Sequence, residues 1–279
     1  MDIGLSSACF YPKLNTEDSI QTMKELGFNF GEIFLNTHCE YKEEFIRVLL
    51  AKKELYEFNV NSVHAFSASF EPYLFDKYDR RRKDVLKQFK EVVKAAKALG
   101  ANCYTFHGMR YADLSGLDTE FIVDIYNELS YISLEAGIKL AQENVSWCMS
   151  SDLKFLTLLS QKSKYPIYFT LDLKQACKAN IPIEKYIEVM GSNIVNLHIN
   201  DRDDNSPCLL PGKGNLDYDN IARNLKDVNY SGKGIIEVYS NNFSSYEELT
   251  KVKEFVSGKF NDISEGKSPM FISRNDMPK

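Results

Sequence analysis

The residues best placed for chemistry are His198, Glu143, Asp172 and Glu237. His198 lies in the stretch Asn-Ile-Val-Asn-Leu-His-Ile-Asn-Asp-Arg-Asp-Asp, from Asn193 to Asp204. There an apolar β-type run, Ile194, Val195, Leu197 and Ile199, encloses an imidazole and exits into carboxylates. Strand cores rarely bury a histidine without a partner or a task. At a strand end followed by a polar loop, the task is metal ligation or proton transfer. Three acids stand in comparable places: Glu143 in Lys-Leu-Ala-Gln-Glu-Asn, Asp172 at the end of Tyr-Phe-Thr-Leu-Asp, and Glu237 in Gly-Ile-Ile-Glu-Val-Tyr. Acids gathered away from water repel one another and take up protons unless a cation compensates them. Three oxygens and one imidazole nitrogen suit one divalent ion: manganese, magnesium or cobalt, with zinc as a further option. The competing reading pairs each acid with a lysine or arginine. These strand ends offer chiefly Lys174 and Arg202, too few for three acids.

Positioning these side chains requires a regular scaffold, and the chain supplies alternating β-type and helix-type runs. The expected strands are Ile3–Phe10, Asn29–Leu35, Val60–Phe66, Asn102–His107, Ile138–Asn144, Ile167–Leu171, Ile194–Ile199 and Gly234–Tyr239. Between them, Thr16–Leu26 carries Ile20, Met23 and Leu26 at helical spacing and stops at Gly27. Lys77–Leu99 places Val85, Leu86, Phe89, Val92, Val93 and Ala96 on one stripe before Gly100. Further helices fit Glu43–Phe58, Thr119–Ala136, Ser151–Ser163, Asp217–Val228 and Ser244–Val256, and Ile183–Met190 is expected to follow strand six. Some eight strand–helix units without a composition break point to an α/β fold, a closed parallel (β/α)8 TIM barrel over residues 1–258, followed by a C-terminal tail over 259–279. The tail has Met270-Phe271-Ile272 as its apolar patch. A doubly wound open sheet is disfavoured because no glycine-rich phosphate turn follows a strand; the first exits as Ser-Ser-Ala-Cys-Phe-Tyr-Pro.

In a (β/α)8 barrel chemistry is built at the C-terminal strand ends. All four histidines map there: His64 late in strand three, His107 ending strand four, His198 late in strand seven and His38 just after strand two. His38 lies in a polar loop and reads as unremarkable. Alternate residues of a strand share a face. Glu143 therefore shares its face with Ala141, Asp172 with Thr170 and His198 with Asn196, while Leu140, Phe169, Leu171, Leu197 and Ile199 turn toward the helices.

Composition excludes several classes. The 279 residues are 44% hydrophobic and 26% charged, ordinary for a globular protein, and the net charge of −5 gives no basic footprint for nucleic acid or anionic membrane. Arg80-Arg81-Arg82 is bracketed by Asp79 and Asp84 in a helical segment and reads as a solvated face. No run approaches the roughly 20 apolar residues of a membrane helix. MDIGLSSACF lacks the basic start and apolar core of a signal peptide. Six cysteines without paired spacing suggest free thiols in a reduced, cytoplasmic setting.

Several short motifs also occur in a specific order. Leu26-Gly27-Phe28-Asn29-Phe30-Gly31-Glu32-Ile33 spans strand two, Gln142-Glu143-Asn144 and Leu171-Asp172 end strands five and six, and His198-Ile199-Asn200-Asp201 closes strand seven. Leu210-Pro211-Gly212-Lys213-Gly214-Asn215-Leu216-Asp217-Tyr218 leads into the next helix, and Ile236-Glu237 belongs to strand eight. In these motifs the chain resembles the xylose isomerase-like barrel superfamily over nearly its whole length. That superfamily includes sugar isomerases and epimerases, hydroxypyruvate isomerase, inosose-processing enzymes and apurinic endonucleases. The resemblance implies that Glu143, Asp172, His198 and Glu237 bind one metal. It also makes Glu143 and Glu237 the acid/base pair that moves a proton through a metal-stabilised enediolate. His64 and His107 would polarise substrate hydroxyls.

The departures narrow the reading. Gln175 stands where the family often has a histidine after the strand-six aspartate. Ser206 and Cys208 replace the aspartate and histidine with which the endonuclease branch holds further zinc ions. Asp204 stands where ketose 3-epimerases usually have arginine, with Arg202 nearby but offset. Gln175 and Arg202 are the remaining expected substrate contacts, and Lys213 reads as a turn lysine. The expected function is a metal-dependent isomerase or epimerase of a small sugar, polyol or hydroxy-keto compound, with an oligomer left open. The alternatives are a lyase (dehydratase) or hydrolase on a keto-polyol, an apurinic endonuclease-like phosphodiesterase, or a binding protein that retains the barrel.

Overall fold

The computed structural model describes residues 1–261 of the chain. Eight strands close into a barrel in chain order, every neighbouring pair parallel and β1 hydrogen-bonded to β8. They are β1 (Ile3–Ser6), β2 (Phe30–Leu35), β3 (Asn59–Ala65), β4 (Cys103–Phe106), β5 (Lys139–Glu143), β6 (Tyr168–Asp172), β7 (Ile194–Ile199) and β8 (Lys233–Ile236). The helices are α1 (Thr16–Glu25), α2 (Glu43–Leu55), α3 (Asp79–Leu99), α4 (Thr119–Glu135), α5 (Leu153–Lys162), α6 (Leu173–Lys178), α7 (Ile183–Met190), α8 (Tyr218–Asp227) and α9 (Glu247–Lys259). The closed parallel barrel is thus the architecture that the strand–helix alternation implies. None of these helices is long and apolar enough to cross a membrane. The Met270-Phe271-Ile272 patch and most of the expected tail lie outside the described residues.

Differences of detail have local causes. The first strand ends at Ser6 rather than Phe10, because Ser6 Oγ accepts the Ala8 amide and starts a 3-10 turn over Ser7–Phe10. The connection after β6 holds α7 at its expected bounds and, before it, the additional α6. Asp172 starts α6 as its N-cap: Oδ1 accepts the Gln175 amide at 3.0 Å, satisfying a donor that a helix start leaves open. The last helix begins at Glu247, not Ser244, since Glu248 Oε1 takes up the Ser244 and Ser245 amides, and it runs on to Lys259.

Strand parity divides the barrel into two environments. Outward-facing Ile33, Val63, Tyr104, Phe106, Leu140, Phe169, Leu171 and Leu197 join helix residues such as Phe89, Val92, Leu129, Phe155 and Leu159 in one buried core. Each such side chain stabilises the fold by roughly 1.5–3 kcal/mol through its removal from water. The interior of a (β/α)8 barrel is usually filled by branched apolar residues. Here Ser6, Glu32, Ser62, Thr105, Thr170 and Asn196 are buried inside it. Buried polar atoms must satisfy one another, and these do. Glu32 accepts from Ser6 at 3.2 Å, Ser62 at 2.8 Å and Thr105 at 3.1 Å.

Gly31 makes room for this acid. The β2–β3 register shifts between Gly31 and Glu32, and a Cβ on Gly31 would lie 2.2 Å from the Leu5 carbonyl oxygen of β1. Gly31→Ala should therefore cost about 2–3 kcal/mol by forcing these strands apart. The urea midpoint should fall with its slope unchanged; a wild-type midpoint would show that the contact relaxes freely.

Candidate active site

Each of the four leading residues arrives at the C-terminal mouth on its own strand. Glu143 and Asp172 are the last residues of β5 and β6, His198 is the penultimate residue of β7, and Glu237 is the first residue past β8, its amide donating to Ile199 at 3.0 Å. All are buried. His198 Nδ1 lies 3.4 Å from Glu143 Oε1, 3.7 Å from Asp172 Oδ2 and 3.5 Å from Glu237 Oε2. The barrel thus brings together the residues singled out from their strand ends, and as a group they could hold a metal ion.

The orientation of His198 is set from below. Its Nε2 is 3.0 Å from Glu32 Oε2, and an ionised carboxylate only accepts, so Nε2 is the donor. That leaves Nδ1 toward the three acids, where it has no hydrogen-bond partner. Sequence reasoning missed Glu32, although the signal was of the kind that exposed His198: an ionisable residue inside an apolar run, Phe-Gly-Glu-Ile-Phe-Leu. Burial opposes the charge on Glu32, and His198 more than offsets it, holding the carboxyl below the usual carboxylate range. Burial likewise opposes the His198 imidazolium, yet Glu32 and Glu237 hold its pKa well above the usual value.

His64 and His107 form a second cluster on Glu143. Their Nε2 atoms are 2.9 Å apart, and Glu143 Oε2 lies 2.7 Å from His107 Nε2 and 3.6 Å from His64 Nε2. The 2.7 Å contact lacks the alignment of a hydrogen bond, leaving Oε2 without a partner by that measure. Glu71, also missed, positions this cluster. Buried, it accepts the His107 and Gly108 amides at 2.7 and 2.9 Å and the Tyr104 hydroxyl at 2.5 Å. Nothing in its own segment, Phe-Glu-Pro-Tyr, signals that reach to the end of β4.

Lys174 qualifies the expectation that cations are too few. Its Nζ lies 3.0 Å from Glu237 Oε2 and 3.4 Å from Asp172 Oδ2, the same oxygens that face His198. Burial works against its charge, but Asp172 and Glu237 outweigh that and hold its pKa well above the usual lysine value. Arg202 joins neither acid. It lines a separate cavity with Cys177, Pro182 and Asp217, and its Nη1 lies 3.7 Å from exposed Asp204. Gln175 is engaged next door, its Oε1 accepting from Ser146 N at 3.1 Å and Ser146 Oγ at 2.9 Å. His38 pairs with Glu91 and Lys213 with Glu248. Cys208 is buried, which pushes its thiol up to about 11, and belongs to neither cluster of candidate ligands.

Beside Glu237 and Lys174 the mouth opens into a cavity of about 280 Å³, walled by Ala8, Tyr11, Phe34, Phe66, Val238 and Tyr239, with Asn36 as a further polar group. A sequence model of the xylose isomerase-like TIM barrel family matches residues 20–255. The chain belongs to this family. A relative in Methanocaldococcus jannaschii, an uncharacterized protein, is 23% identical over 93% of this chain and 92% of its own. The family barrel superimposes on the crystal structure of a D-tagatose 3-epimerase-like protein with a TM-score of 0.76 at 20% identity, covering 94% of this chain and 98% of the other. A structure of IolI protein with a zinc atom gives 0.74 at 17% identity, covering 96% and 99%.

The charges here make a pH prediction. Burial lowers the pKa of His64, but Glu143 and Glu32 outweigh it and raise it from 6.5 to about 9. A raised pKa stabilises the fold fully below the unfolded value and progressively less as pH rises through the folded value. Chelator-treated protein should lose thermal stability between pH 6.5 and 9. His64→Asn should flatten that slope; a variant with the wild-type slope would contradict the assignment.

Proposed function

We propose that this protein is a metal-dependent isomerase or epimerase of a small polyhydroxylated carbonyl compound. The observation that carries the reading is the convergence of His198 Nδ1 and one oxygen of each of three buried acids on one point. His198 Nδ1 and Asp172 Oδ2 lack hydrogen-bond partners, and His198 Nδ1 is 3.4–3.7 Å from one oxygen of each acid. A tetrahedral ion with bonds of about 2.0–2.2 Å has ligand–ligand edges of about 3.3–3.6 Å, so these separations fit a shared ion. Glu143, Asp172, His198 and Glu237 are accordingly the proposed ligands. Manganese, magnesium, cobalt and zinc all tolerate such a donor set. Bound there, a divalent ion supplies Lewis-acid polarisation of a carbonyl and its neighbouring hydroxyl.

The chain supplies the proton transfer. Glu237 lines the cavity and Glu143 adjoins both histidines. One carboxylate removes the proton from the carbon beside the carbonyl. The same one or its opposite returns a proton to the neighbouring atom or to the other face. His64 and His107 hold the hydroxyl side of the substrate through their paired ring nitrogens. Aromatic walls at Tyr11, Phe34, Phe66 and Tyr239 exclude water and receive the C–H faces of a polyol. Family membership and the likeness in fold to a D-tagatose 3-epimerase-like protein agree with this choice of chemistry. The family's breadth leaves the exact reaction to experiment.

In deuterium oxide, a true substrate should acquire deuterium at one carbon. Glu143→Gln or chelation should reduce this exchange by at least about 100-fold, the usual contribution of a positioned acid/base group. Undiminished exchange after complete metal removal would end the proposal. Glu32→Gln should weaken metal binding about 10–100-fold, since it removes the anion that orients His198. Calorimetry showing wild-type affinity in that variant would deny Glu32 this role.

A further inference from the structure

At the end of the barrel opposite the candidate site, where the strands begin, a second charge is buried. Branched apolar side chains usually fill that layer. Here β5 begins with Lys139, which shares the strand's inward face with Ala141 and Glu143 and is only 7% exposed. Its Nζ lies 5.4 Å over the Tyr168 ring and, among the described residues, forms neither an ion pair nor a hydrogen bond. Burial works against its charge, and the Cys103 thiol is the one titratable group that counters this. Lys139 lines a cavity of about 210 Å³ with Asn61, Asn102, Ser231 and Lys233, and no acid contributes to the wall. The space equals that of about seven waters, enough for phosphate or a short dicarboxylate.

Most other polar groups of this wall are engaged. Lys233 Nζ pairs with Asp2 Oδ2 at 2.9 Å. Asn102 Nδ2 donates to Asn61 Oδ1 and Asn61 Nδ2 to Asn196 Oδ1, each at 3.1 Å, a chain running inward. Ser231 differs: its Oγ is enclosed and has no hydrogen-bond partner. The wall thus joins an unpaired ammonium to an unused hydroxyl donor, and one anion would satisfy both. A cation would be repelled by the lysines, and a neutral ligand would leave the Lys139 charge as it is.

We propose that the N-terminal end of the barrel holds a second binding site, which takes a small oxyanion, phosphate or carboxylate, on Lys139 and Ser231 with Lys233 at the rim. The site is independent of the metal reading, because it shares no residue with the four proposed ligands or with the cavity beside Glu237. Lys139 opens β5 and Ser231 leads into β8, two strands that do not pair. An anion held by both ties these strand starts together and stabilises the fold by mass action.

The test is calorimetric titration of inorganic phosphate, and separately of succinate, into the full chain after chelator treatment and dialysis. Wild type is compared with Lys139→Met, Ser231→Ala and Lys174→Met, the last a control for the buried lysine at the opposite mouth, and circular dichroism verifies each fold. Wild type and Lys174→Met should bind about one anion per chain with Kd below about 1 mM, the tighter of the two probes telling phosphate from carboxylate. Lys139→Met should weaken binding at least about tenfold and Ser231→Ala about threefold or more. Saturating anion should raise the Tm of wild type and leave that of Lys139→Met unchanged. No saturable binding of either probe by wild type would overturn the inference. So would wild-type affinity in Lys139→Met, or binding lost in Lys174→Met and kept in Lys139→Met, which would place the anion at the other mouth. Should Lys139→Met fail to fold, wild-type affinity in Ser231→Ala overturns it instead. None of these results bears on the metal site.

Discussion

Four carboxylates buried around one imidazole set the charge problem that this barrel must solve. Glu32 approaches His198 from Nε2, while Glu143, Asp172 and Glu237 surround Nδ1 within 3.7 Å. In a low dielectric, like charges at this spacing suppress one another's ionisation unless cations intervene. His198 and Lys174 are those cations in the structure, with His64 beside Glu143. The division of labour within the imidazole follows: one nitrogen is tied to the polar interior of the barrel and the other is left to the mouth. A polar interior in place of the usual aliphatic layers is what allows Glu32 to stand there.

Scaffold and site are built from the same atoms. Asp172 caps α6 through Oδ1, which also accepts from Asn200 at 3.2 Å, so Oδ2 alone is left for the site. Asn144 brackets the same residue, donating to its carbonyl at 3.0 Å and accepting its amide at 2.7 Å. Asp201, which completes the His-Ile-Asn-Asp motif, does not face the cluster. It gathers the amides of Arg202, Gly212 and Leu216 and so shapes the loop after β7. Such double duty explains why short motifs in this chain carry both packing and chemistry.

The barrel and the strand-end residues were legible because periodicity and parity are local properties. The bounds of Ile194–Ile199 and Ile183–Met190 coincide with β7 and α7, and residues marked by an odd polar group in an apolar run meet at one mouth. What was not legible depends on where side chains turn after their strand. Lys174 was weighed as one of too few counter-ions, yet as the second residue of α6 it reaches two acids at once. Arg202, flanked in sequence by the acids after His198, is carried into another cavity by the loop that Asp201 organises. Glu71 comes from a turn far from β4 in sequence, and its carboxylate acts there by accepting the amides of His107 and Gly108 just past that strand. Glu32 was different: its signal was present, and what hid it was the lack of a partner until β7 lay across the barrel.

The central claim is a single divalent ion held by Glu143, Asp172, His198 and Glu237. Anomalous diffraction at the manganese or zinc edge, from crystals soaked in that ion, tests it most directly. The account predicts one strong peak per chain, bonded to His198 Nδ1 and to one oxygen of each acid at about 2.0–2.2 Å. A map without a peak there, or with its principal peak between His64 and His107, would contradict it.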